Sequence, residues 1–253
     1  MLLGAGLFCF LLLKLDITAL IDSVGNLVPV LPIAAALHFL ALLLMGSAWY
    51  LLLQSDGENP GAGRVVLAYA WAHALNELTP VRSSGDLVAG ALLCRKSKVD
   101  TKRMLASVML QNVVAVLSVV VAAVVFLLLC MAGGVRGGAL WPMAGAAAIL
   151  SALTALLVLS LRRGAAQIAV RLAGSLGSRG RKGNDRLHSD ARSVDRHLWK
   201  MAGNRRTMGG VVGLWISVRI LQLFETLLLA AAMMPELHAS KLLLVSAGVQ
   251  AAA

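Results

Sequence analysis

Several stretches of this sequence run apolar for twenty residues or more: residues 30–53, 104–131, 141–161 and 208–233. A bilayer's hydrocarbon core is crossed by roughly 20 residues of α-helix. In lipid a helix satisfies every backbone N–H and C=O within one segment. A soluble domain of 253 residues builds its core without such runs. The expected fold is all-α, a polytopic integral membrane helical bundle. Residues 1–13 fit as a short or trimmed first helix, and residues 242–253 as the start of another. The residues between the first two runs, 16–28, are mildly amphipathic and suit a helix on the membrane face. His38, inside the second run, is expected to be a structural histidine facing the bundle.

The net charge of +11 takes its meaning from where the charges fall. Residues 95–103 hold five basic side chains, and residues 162–206 hold twelve of the 23 Lys and Arg against three acids. Short basic loops stay on the cytoplasmic side, so both are expected there. The apolar pair between them then crosses twice and puts the Gly-rich turn 133–138 outside. Cysteines introduced into that turn should label from the outer face, and cysteines in residues 179–192 from the cytoplasm. Labelling of both from one side would contradict the layout. The long basic loop, 162–206, sets topology on this reading, and it is also attractive to anionic lipid heads. Nucleic acid is not expected as a partner, because aromatic residues do not recur along the charged stretch. Cys9, Cys94 and Cys130 have neither disulfide-framework nor metal-ligand spacing. No metal, cofactor or catalytic constellation is expected.

One segment breaks the pattern. Residues 64–95 read RVVLAYAWAHALNELTPVRSSGDLVAGALLCR. An apolar helical half carrying His73, Asn76 and Glu77 meets a breaker around Pro80, Arg82, Gly85 and Asp86, and a short apolar run follows. The two halves are too short for two full spans, and the charge count places both ends on one side. A re-entrant, broken-helix hairpin is the reading that meets both conditions. Irregular backbone at that depth needs protein or a water-filled cavity around it, and intramembrane ionisable residues mark pathways. Arg82 could grip a phosphate bidentately, with Asp86 or Glu77 holding it ready. The competing reading is a salt-bridged plug, in which Arg82 neutralises Asp86 or Glu77. Farther on, Arg219, Gln222, Glu225 and Thr226 fall within about a 120° stripe at 100° per residue. They are expected either to line the same polar cavity or to join helices.

Asn76, Pro80, Arg82 and Gly85-Asp86, with the short helix to Arg95 and the helix start at Ala106-Ser107-Val108, resemble the lysylphosphatidylglycerol synthase transmembrane region. This family is also called the flippase-like domain and includes hopanoid-biosynthesis-associated membrane proteins. The resemblance covers about residues 64–131. Many members carry an Arg shortly after the Gly-acid pair, where this chain has Ala89 and Gly90, so a headgroup role rests on Arg82. Residues 242–250 resemble the first half of a second re-entrant element, which implies one transmembrane domain over 1–253, truncated at its C-terminus. The resemblance implies a protein of the bacterial inner membrane that binds or moves a phospholipid, hopanoid or polyprenoid lipid. The alternative is a non-transporting scaffold whose partner is a lipid-modifying enzyme. No aminoacyl-transfer domain has a counterpart here, so the chain is not expected to be an enzyme.

Overall fold

The computed structural model describes residues 25–79, 84–132, 140–162, 164 and 181–233. Every regular element among the described residues is a helix, as the apolar run lengths require. In chain order they are α1 (Leu31–Ser55), α2 (Ala62–Leu78), α3 (Ser84–Ser97), α4 (Thr101–Ala132), α5 (Leu140–Arg162), α6 (Arg181–Gly203) and α7 (Arg205–Met233). Three of them are long and apolar enough to cross a membrane, Leu31–Ser55, Thr101–Val125 and Arg205–Met233, with a shorter apolar stretch at Ala147–Leu156 in α5. The chain is an all-α membrane protein.

Local chemistry explains the boundaries. Pro32 sits in the first turn of α1, where a missing N–H costs nothing. The turn into α2 uses Gly57 (φ 92°) and Gly61 (φ 84°), two left-handed positions that a side chain would strain. Thr79 ends α2 in an extended conformation (φ −107°, ψ 142°). That is where the residue before a proline is driven, and Pro80 follows. Asn204 is the one residue between α6 and α7, and its side-chain oxygen accepts the Thr207 N–H at 3.2 Å as a helix N-cap.

The chain divides into two compact units, Leu40–Ile220 and Met1–Phe39 with Leu221–Ala253. The core of the larger unit is built from Trp49 and Leu53 of α1, Val65, Ala68 and Ala72 of α2, Ala89 and Leu93 of α3, and Met104 and Val108 of α4. Between membrane helices lipid offers no hydrophobic driving force, so close van der Waals approach at small residues does the work. Gly46 shows this: a Cβ there would lie 2.8 Å from the Val66 Cα. Trp49 also spends its indole N–H on the buried Ser107 hydroxyl at 2.9 Å, which ties α1 to α4. In the smaller unit, His38 Nδ1 lies 3.3 Å from Glu225 Oε1.

The basic stretch 162–206 departs from expectation. It is not a loop throughout, because residues 181–203 form α6. Ala191, Val194, Leu198 and Met201 recur at helical spacing and are buried, so one side of α6 packs while its charges stay out. The strong charge of the segment hides this pattern in the sequence.

Candidate functional site

The break between α2 and α3 is closed by short-range polar contacts. The Asn76 side chain, in the last turn of α2, does two jobs. Its oxygen accepts the Gly85 N–H at 2.8 Å, and its amide donates to Asp86 Oδ1 at 3.1 Å. The Thr79 hydroxyl donates to the Leu75 carbonyl at 2.8 Å, and therefore accepts from the Ser84 hydroxyl, also at 2.8 Å. Asp86 stands in the first turn of α3, where the unpaired amides of a helix start favour a negative charge. Its second oxygen receives Asn112 Nδ2 of α4 at 3.5 Å. One carboxylate is thus held by neutral amides from two other helices.

Gly85 is fixed by sterics. A Cβ at that position would collide with the Ala72 carbonyl and approach Asn76 Oδ1 to 2.8 Å. Gly85→Ala should therefore separate α2 from α3 and destabilise the protein by about 1–3 kcal/mol, the usual cost of overpacking. Thermal unfolding in detergent would read this out, and an unchanged midpoint would contradict the close approach.

Farther along α2 and α4, the polar side chains continue inward. The Tyr69 hydroxyl donates to Met45 Sδ at 3.4 Å. It also engages the Gln111 side chain and lies within electrostatic reach of Asp86 and Arg219. Gln111 is buried, and its Oε1 has no hydrogen-bond partner among the described residues. Arg219 of α7 is held against α4: Nε donates to Ser118 Oγ at 3.0 Å and Nη2 to the Ala115 carbonyl at 3.3 Å. Its guanidinium also stacks 5.6 Å from the Trp215 ring centroid. A fixed cation, a fixed carboxylate and an amide acceptor thus gather where α2, α3, α4 and α7 contribute to one unit. Such a set can recognise a zwitterionic or anionic group. It contains no nucleophile paired with a base.

Of the residues singled out in the sequence, Asn76, Gly85 and Asp86 come together directly, and Arg219 belongs to the same polar cluster. Glu77 is exposed at the end of α2. Pro80 and Arg82 lie outside the described residues. Gln222 and Glu225 belong to the smaller unit, where the Gln222 carbonyl accepts the Thr226 hydroxyl at 2.8 Å and Glu225 faces His38. No group of three His, Cys, Asp or Glu side chains suited to a metal ion occurs among the described residues.

A second cluster was not anticipated. The Asp56 carboxylate, in the turn after α1, is fully buried and faces three cationic or protonatable groups. His197 Nδ1 lies 2.6 Å from Oδ2, Lys200 Nζ 2.8 Å from Oδ1, and Arg103 Nε 3.6 Å from Oδ2. Arg103 also bonds the Asp56 carbonyl at 3.2 Å and Glu58 at 3.0 Å. With Lys102–Asp190 at 2.8 Å, these pairs fasten α6 to the start of α4 and to the α1–α2 turn. The sequence signal is faint: Ala191, Val194, Leu198 and Met201 recur at helical spacing beneath the charge, and His197 lies beside that set.

A family model described as the lysylphosphatidylglycerol synthase TM region matches residues 1–253. No curated protein and no solved structure matches the chain.

Proposed function

The chain belongs to the lysylphosphatidylglycerol synthase transmembrane region family, and from that premise we propose that its α2–α3 hairpin receives a lipid headgroup and carries it across the bilayer. In this reading the hairpin is re-entrant, and the protein is a multi-pass component of a bacterial inner membrane. The lipid is a phospholipid, or a hopanoid or polyprenoid carrying a polar head. Arg82 holds the anionic group, and Asp86 holds Arg82 ready between substrates. The proposed site residues are Asn76, Glu77, Gly85, Asp86 and Arg219 of the larger unit, with Pro80 and Arg82 from the segment between α2 and α3.

The observation that carries the reading is the way Asp86 is held. Two neutral amides and a helix start stabilise its charge. In this reading the acid does not depend on a permanent ion pair, which would leave Arg82 for the ligand. Gln111, with a buried acceptor left over, adds a polar group that packing alone does not require. The reading assigns no chemical step to the chain.

The experiment is lipid translocation in proteoliposomes. A fluorescent anionic phospholipid should cross faster with protein than in protein-free vesicles, and faster than a zwitterionic analogue. No excess over protein-free vesicles would sink transport and favour a scaffold that docks a lipid-modifying enzyme.

A further inference from the structure

We infer that the outward stripe of α6, Arg192, Arg196 and Trp199, is a docking surface for the anionic phosphodiester headgroups of the bilayer in which the protein sits. The inference does not depend on the hairpin reading. Three observations carry it. The first is the rotational setting of α6. Its inward side is committed to Ala191, Val194, Leu198 and Met201, and the pairs to Asp56 and Lys102 lock it in place. The residues at i, i+4 and i+7 that remain outside are therefore fixed as a stripe, and all three are exposed.

The second observation is position. Only Asn204 separates α6 from α7, a helix long and apolar enough to span. The C-terminal end of α6 is thus at headgroup level, and Arg205 and Arg206, both exposed, begin the span. The third is chemistry. Trp199 is 44% exposed, and an indole with one polar edge is favoured at a membrane interface over bulk water. Two guanidiniums on the same stripe complement phosphate oxygens bidentately. A helix with a cationic, aromatic face beside a span is the arrangement that anionic leaflets attract.

The test uses the full chain in nanodiscs. A bimane fluorophore is placed at Ser189→Cys, exposed one turn before Arg192, with Cys9, Cys94 and Cys130 replaced by serine. Quenching by a headgroup-nitroxide lipid is compared in phosphatidylcholine discs with and without phosphatidylglycerol. Anionic lipid should raise the quenching severalfold at low salt, and high salt should reverse the rise. Arg192→Gln with Arg196→Gln and Trp199→Ala should abolish the rise. Arg192→Lys with Arg196→Lys, which keeps the charge, should retain most of it and shows that the fold survives changes here. Equal quenching in the two disc types would overturn the proposal, as would a full response in the triple variant. Loss of the response to inorganic phosphate at matched ionic strength would also overturn it, because the surface would then be a site for soluble anions.

Discussion

Replacing Asp56 by alanine is expected to lower stability by about 3–5 kcal/mol, the range for a broken buried ion pair, and to release α6. The carboxylate is fully buried and joins three partners from two elements: Arg103 of α4, and His197 and Lys200 of α6. Without it, those partners lose the anion that brings them together. Lys200 and Arg103 are partly exposed and regain some hydration, which places the loss toward the lower end of the range. Glu58→Ala is the matched comparison. It removes one bond to Arg103 and leaves α6 anchored, so the expected loss is smaller, about 1.5–3 kcal/mol. Limited proteolysis separates the two. New cleavage within residues 181–203 should accompany Asp56→Ala and not Glu58→Ala. Wild-type melting and protection in Asp56→Ala would show that the apolar side of α6 holds the helix alone.

The spans were legible because lipid imposes a length requirement that soluble folds do not. Residues 30–53 and 208–233 match α1 and α7 closely for that reason. The break between α2 and α3 was also legible, since Thr79-Pro80 ends α2 by a local rule and Ser84 to Asp86 open α3 with groups suited to a helix start. The partners across helices were not legible. Asn112 reaches Asp86 from 26 positions away, and His197 reaches Asp56 from 141 away. Local periodicity carries no information about such pairings.

The α7 stripe illustrates a different limit. The 100° rule puts Arg219, Gln222 and Glu225 on one side, yet Arg219 is spent on Ser118 and Glu225 on His38. A long helix gives different partners to successive turns. Glu77 shows the converse: this acid beside the breaker is exposed at the end of α2, while its neighbour Asn76 in the same turn reaches Gly85 and Asp86.

Arg82→Ala is expected to abolish headgroup translocation while leaving the protein folded. Arg82→Lys should recover part of it, because an ammonium cannot reproduce the planar two-pronged contact with phosphate. The expectation follows from the anchoring of Asp86 by Asn76 and Asn112. An acid with two amide donors keeps its charge satisfied when the arginine is gone. If Arg82 were instead the permanent counter-ion of Asp86, its removal would strand a carboxylate at about 3–5 kcal/mol, and removal of both charges would relieve the strain. The most direct measurement is therefore a cycle of Arg82→Ala, Asp86→Ala and the double variant in proteoliposomes, with melting temperature and lipid translocation rate read for each. Headgroup capture predicts that Arg82→Ala melts near wild type and that neither it nor the double variant translocates. A double variant that regains both stability and translocation would contradict it and make Arg82 a strut.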